Sequence, residues 1–335
     1  RPYVVHRFAD GSKDWLFDGF LFLEFKDGSG RNYTVGYEKL NARRTEWEWL
    51  LDRIFEQGKS LSALDRCIGE EIGELGKPAF RHRIVLGLPE AIRGQKDWGE
   101  IDGREMDFSK EEDQIAATKW YIGELVERFK AAKYKHLELS GFYWVAEDTH
   151  HCEELTIPLS EYIHSEGKLF YWIPYWQAKG HEEWKRLGFD VAYQQPNHFF
   201  NHSIPDSRLD EACATARRHG MAMEFEFDEK ATAAIPNSSH DRMAAYINHF
   251  EKNDVFNSSA VAYYCGNRGV LTLDESDNPK DKALMDRLAR IIQARRYLKY
   301  GIPMKNKTRV VAHRGFWHTD GSAQNSIASL LKADQ

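Results

Sequence analysis

Seven short apolar runs alternate with longer stretches of helical character along most of this chain. The runs are FDGFLFLEF at 17–25, IVLGL at 84–88, HLELSGFYW at 136–144 and LFYWIP at 169–174. FDVAYQ at 189–194, MAMEFEF at 221–227 and AVAYYC at 260–265 complete the set. Between them, residues 111–133 repeat Ile115, Ile122, Leu125, Val126 and Phe129 on one helical face, and Ser109 with Glu112 is spaced for a capping box. Residues 241–251 do the same with Met243, Ile247 and Phe250, and 281–298 with Leu284, Leu288, Ile291 and Leu298. Gly167, Gly188 and Gly220 each stand at the start of a strand, where a left-handed residue turns the chain out of a helix. Serial strand–helix–glycine–strand units require crossover connections, and crossovers build a parallel sheet. Seven strands before residue 270, with no GxGxxG after the first, predict a (β/α)8 TIM-type barrel rather than a Rossmann sheet. Residues 1–302 are assigned to the barrel and 303–335 to a short extra βα segment. Two connections are long. Residues 26–80 carry helical stretches at 45–56 and 61–75, and 90–109 form a loop at a strand end, where barrel enzymes place specificity.

Composition narrows the function. The 335 residues carry 46 basic and 52 acidic side chains, a net charge of −6, which argues against a nucleic-acid partner because phosphate binding wants a basic face. No run approaches the ~18 apolar residues of a membrane span. The four cysteines form no CxxC pair and are too sparse for a disulfide scaffold. His150 and His151 are adjacent, which suits one metal ion poorly, so neither a metal nor another cofactor is expected. Arg1 in place of Met reads as a processed or trimmed start. The unusual quantity is an aromatic content of 13%, with 10 Trp and 15 Tyr whose polar atoms want partners.

Alternation within the strands decides which acids face the barrel interior. In MAMEFEF the apolar set Met221, Met223, Phe225 and Phe227 meets the helices, leaving Glu224 and Glu226 inside. The same argument places Leu21, Leu23 and Phe25 outside with Phe20, Phe22 and Glu24 inside. It also sends His136, Glu138, Ser140 and Phe142 inward. Buried carboxylates are costly unless paired, bonded or protonated, so their convergence suits acid–base chemistry. The strand ends add aromatic rings and amides: Tyr143, Trp144 and Glu147; Trp172, Tyr175 and Trp176; Gln195, Asn197 and His198; Tyr264 and Asn267. Rings stack on sugar faces and amides bind hydroxyls, so these residues describe a pocket for a carbohydrate ligand.

Residues 309–333, RVVAHRGFWHTDGSAQNSIASLLKA, resemble the opening of glycerophosphodiester phosphodiesterases. The resemblance places that family's His-Arg-Gly motif on His313, Arg314 and Gly315, with proton transfer on His313 and phosphate binding on Arg314. The helix-start glutamate of that family is Gln324 here. The body, approximately 4–298, resembles an uncharacterised domain-of-unknown-function family of secreted or periplasmic proteins from polysaccharide-degrading bacteria. FDGFLFLEF, HLELSGFYWVAED, KLFYWIPYW and FDVAYQQPNHFF carry that resemblance. It implies a glycosidase-like barrel in a periplasmic or extracellular setting.

The expected function is therefore a glycoside hydrolase of the two-carboxylate type acting on glycan oligosaccharides. Glu226 or Glu224 is the expected nucleophile or base, Glu147 the general acid and Glu138 its reserve. A non-catalytic carbohydrate-binding barrel is the alternative, and it gains if the inward acids are locked in ion pairs with Lys or Arg. A phosphodiesterase using the C-terminal motif is the third reading.

Overall fold

The computed structural model describes residues 1–149 and 153–301. The chain divides into two units, Arg1–Arg296 and Tyr297–Gln335. Of the second, only 297–301 is described, including the end of a helix that begins at Pro279. The His313-Arg314-Gly315 motif and the pair His150–His151 lie outside the described residues.

Each of the seven apolar runs forms a strand of one parallel sheet: β1 (Gly19–Phe22), β2 (His82–Leu88), β3 (Leu137–Trp144), β4 (Leu169–Trp172), β5 (Val191–Gln194), β6 (Ala222–Glu226) and β7 (Val261–Tyr264). The spatial order is the sequence order, β1 to β7, so every crossover moves one strand along. This is the winding of a barrel, and Phe17, just before β1, packs its ring 5.1 Å from that of Tyr263 in β7. The result is a curled half-barrel. The expected closed (β/α)8 barrel is not reached among the described residues, since β1 and β7 share no ladder and the parallel sheet has no eighth strand.

The helices follow from their stripes. After β1 come α1 (Arg44–Phe55) and α2 (Ser60–Leu75), and after β2 comes α3 (Glu111–Ala132), which buries Ala117, Tyr121, Ile122 and Leu125. The expected capping box at the start of α3 is absent. Ser109 bonds Asp107 instead, and three acids in the first turn, Glu111 to Asp113, face the helix dipole. Next are α4 (Glu153–Ser165), α5 (Ser207–His219) and α6 (His240–Lys252). Gly220 ends α5 in the left-handed region at φ +65° and donates its N–H to the Ala216 carbonyl.

The main core fills the layer between sheet and helices, with Leu137, Leu139, Phe142, Trp144, Phe170, Trp172, Met223 and Phe225 from the strands. A smaller cluster, Tyr143, Val145 and Ile173 with Leu23, Phe25 and Tyr171, lies on the inner face. Two expected facings are therefore corrected. In β3 a bulge between the pairs at Ile84 and Val85 of β2 lets one residue slip, so Phe142 joins Leu137 and Leu139 on the outer side and Tyr143 turns inward. In the first strand the sign was inverted. Phe20 stacks on His82 and packs with Phe22 against the main core, whereas Leu23 and Phe25 are inside. Both faces of that strand are apolar, so alternation alone carried no direction. The loop 90–109 is also not an open specificity loop. Its Trp98 is buried against Trp47, Phe108 and Trp120, and its Gln95 amide donates to the Ala42 carbonyl.

Candidate functional site

Glu224 and Glu226 occupy alternate positions of β6 on its inner face, and both are almost wholly buried. The register sets Glu226 beside Tyr264 of β7. Glu147 follows the end of β3 and is half-buried. The Gln195 amide, just past β5, joins them: it donates to Glu147 Oε1 at 3.3 Å and also bonds the Glu224 carboxyl. One Glu224 oxygen, Oε2, has no protein partner.

The three acids sit in different environments. Burial raises the Glu224 pKa well above the ordinary carboxylate range, and the charges of Glu226 and Glu147 add to the rise. Burial also raises Glu226, but donors oppose it there. The Tyr246 hydroxyl bonds Glu226 Oε2, and the His198 backbone N–H donates to the same oxygen at 3.3 Å. Burial raises Glu147 as well, against the Gln195 bond. Among the described residues no Lys or Arg forms an ion pair with any of the three. The neighbouring Tyr143 hydroxyl is pushed up by burial and by the charges of Glu147 and Glu224, so it stays protonated.

Four large exposed aromatic side chains come from four connections at this end of the sheet: Tyr37 after β1, Tyr175 after β4, Phe200 after β5 and Tyr264 at the end of β7. They ring the acids. The Tyr175 N–H donates to the Glu147 carbonyl at 2.9 Å, and Phe200 meets Tyr264 edge-on at 5.7 Å. Burial raises both Tyr37 and Tyr264, and Glu147 raises each further. Tyr37 stacks on Phe25, with ring planes 2° apart, and is thereby fixed in place.

The structure thus brings together Glu224, Glu226, Glu147, Gln195, Tyr143, Tyr175 and Tyr264. It separates the others. Glu138 is exposed at the start of β3, six residues before Trp144, which is about 20 Å along the strand. Glu24 is exposed beyond β1 on the side of Arg53 in α1. Trp144 and Trp172 are core residues on the helix side. Trp172 is fully buried, stacks on Phe189 at 4.9 Å and donates its indole N–H to the Ala146 carbonyl. Trp176 is half-buried with the Arg208 guanidinium over its ring, and its backbone N–H is held by Asn197 Oδ1. The His198 ring is fully buried on Asp206, and burial lowers its pKa to about 4, so it props the loop rather than touching a ligand. Asn267 is exposed, and its carbonyl faces the Tyr3 hydroxyl. Sequence reasoning missed Tyr37, Phe200 and Tyr246. Phe200 stood in a marked strand-end motif, Tyr37 lies in a connection without alternation, and Tyr246 reads as an ordinary residue of a helix stripe.

A family model described as "Domain of unknown function (DUF4855)" matches residues 1–290. Comparison with curated proteins gives no match. Among solved structures, the chain is similar to the crystal structure of a candidate alpha-L-fucosidase from Bacteroides thetaiotaomicron VPI-5482. Identity is 12%, the TM-score is 0.42, and the match covers 83% of this chain and 93% of that one. It is also similar to the GH99 endo-alpha-mannosidase from Bacteroides thetaiotaomicron, at 10% identity and a TM-score of 0.38, covering 72% of each chain.

Proposed function

The chain belongs to the DUF4855 family, and from its own site we propose that it is a glycoside hydrolase acting on glycan oligosaccharides. The observation that carries the reading is the acid cluster itself: three carboxyls without a cationic partner, beneath a ring of exposed aromatics. A structural role would pair such acids with Lys or Arg, because unpaired buried charge is costly. Aromatic faces stack on the C–H faces of sugar rings, and the acids supply what glycosidic cleavage needs.

Hydrolysis requires one group that holds a proton for the leaving oxygen and a second that is ionised opposite it. Different environments separate the two roles. Glu224, raised by burial and by the neighbouring acids and with Oε2 free of any protein donor, holds the proton. Glu147 is more open, accepts from Gln195 and serves as nucleophile or base. Glu226 is bonded by Tyr246 and the His198 backbone, which favour its ionised form against burial. Its field favours the oxocarbenium-like charge that develops on the sugar. The same reading takes the half-barrel as part of a (β/α)8 barrel whose mouth is this site. A periplasmic or extracellular location, where glycans are met, goes with it.

The test is a screen of chromogenic glycosides and glycan extracts with Glu224→Gln and Glu147→Gln as paired variants. Hydrolysis that both variants abolish while sugar binding survives supports the assignment. Full activity in both overturns it, and binding without any hydrolysis by the wild type identifies a carbohydrate-binding barrel instead.

A further inference from the structure

A cavity of about 300 Å³ lies against the end of β5 and the second half of α5, where Gln194 meets Thr215 and Arg218. Strand alternation puts Gln194 on the opposite face from Gln195, so this cavity is on the helix side of the sheet, away from the acid cluster. We propose that it is a second binding site, for a neutral hydroxyl-rich ligand the size of one monosaccharide.

Gln194 is the first argument. It is fully buried, and its Nε2 donates to the Gln195 carbonyl at 3.0 Å. A carbonyl can only accept, so the amide orientation is fixed and Oε1 is the end left over. That atom is buried and has no protein partner. Native proteins seldom leave a buried acceptor unsatisfied, and Gln194 lines the cavity, so a small turn of its side chain would bring Oε1 to a donor held there.

The other walls are mostly polar as well. His181 Nδ1 lies 2.7 Å from the Ala178 carbonyl, so Nδ1 carries a hydrogen and Nε2 is the ring nitrogen left over. Glu182 Oε1 is 3.9 Å from that Nε2 and 3.6 Å from His219 Nε2, and its carboxylate is largely exposed at the rim. Arg218 is the one lining residue with a fixed positive charge, and Trp176 adds an apolar wall. An anion would face Gln194 Oε1 and the Glu182 carboxylate, both of which repel it, with Arg218 as the counterweight. A polyol donates to both acceptors. The volume equals about ten waters at about 30 Å³ each, which suits one sugar ring and sits at the small end of ligand pockets.

The experiment is ligand-observed NMR and calorimetry on the full chain with free glucose, galactose and mannose. Inorganic phosphate serves as the anion arm and zinc chloride as the cation arm. Binding of at least one sugar is expected, with the Gln194 side-chain amide resonances shifting in the wild-type protein. Gln194→Leu should weaken it about tenfold, the loss of one buried hydrogen bond. Thr215→Trp, which fills the cavity, should abolish the sugar-induced shift of the Gln194 amide. A Gln194 amide shift on sugar addition that survives in a folded Thr215→Trp protein overturns the proposal. So does sugar binding without any Gln194 shift, binding of phosphate or zinc alone, or binding of none of the probes.

Discussion

Replacing Tyr246 by Phe removes one hydroxyl from a fully buried ring and leaves Glu226 with backbone donors alone. The ring still packs on Phe225, at 4.9 Å, and on Phe250, at 5.6 Å, so the core is kept. A hydrogen bond to a charged group contributes about 1.5–3 kcal/mol. One pH unit of pKa corresponds to about 1.4 kcal/mol, so the Glu226 pKa should rise by about one to two pH units above its already raised position. The consequence for stability has a definite sign. A carboxyl raised in the folded state contributes stability below its unfolded pKa and loses it as pH rises through its folded pKa. In the variant that loss runs on over about one to two further pH units. The variant should therefore be further below the wild type at pH 9 than at pH 5. Carbon-13 NMR of labelled glutamate carboxyls reads the first effect, and urea unfolding at the two pH values reads the second. An unchanged titration of Glu226, or equal destabilisation at both pH values, refutes the reasoning.

Glu224→Gln should raise the unfolding temperature at pH 8, where the wild type keeps a carboxyl buried against its raised pKa, and leave it unchanged near pH 4.5. Scanning calorimetry reads about 2 °C for each kcal/mol in a chain of this size, and a lower value at pH 8 contradicts the account. Tyr175→Ala and Tyr264→Ala remove exposed rings, so each should weaken glycan binding about threefold to tenfold at unchanged melting temperature. Trp172→Ala, an adjacent aromatic in the sequence but a core residue, should cost about 3–5 kcal/mol of stability in denaturant titration. Gly141→Ala should yield insoluble or unfolded protein on expression, because its Cβ would fall within 2.7 Å of both the carbonyl carbon and oxygen of Leu169 in the next strand.

The strands and their order were legible because each is a short apolar run closed by a turn signal, and the resemblance drawn over 4–298 agrees with the DUF4855 match. Glu224 and Glu226 were legible for the same reason. Their strand is flanked on one face by methionine and phenylalanine only, so the acids had one place to go. The rings were harder. Trp144, Trp172 and Tyr175 look alike in sequence, yet the first two point to the helices and the third stands in solvent. What separates them is the parity of the strand at its end, and one slipped residue reverses that. Tyr37 and Tyr246 reach the site through tertiary packing, from a connection and a helix, and no local pattern marks them.

The bulge in β3 ties these points together. Before it, Leu137 and Leu139 face the helices and Glu138 faces in. After it, Phe142 and Trp144 face the helices while Tyr143 and Val145 face in. Counting on by two from Val145 reaches Glu147, on the side of Glu224 and Gln195. Without the slipped residue the count would run through Phe142, Trp144 and Ala146, and Glu147 would turn toward the helix layer. Two large rings would then fill the space above Glu224. The irregularity therefore does two things at once: it removes bulk from the inner face and delivers a third carboxyl, Glu147, to it. Gly141, where a side chain would collide with Leu169, is the residue that allows the slip. Ser140 stabilises it by a 2.7 Å bond between its hydroxyl and that of Tyr171 on the inner face. Bulges re-aim side chains, and here the side chain re-aimed is the Glu147 carboxyl, which shares the Gln195 amide with Glu224.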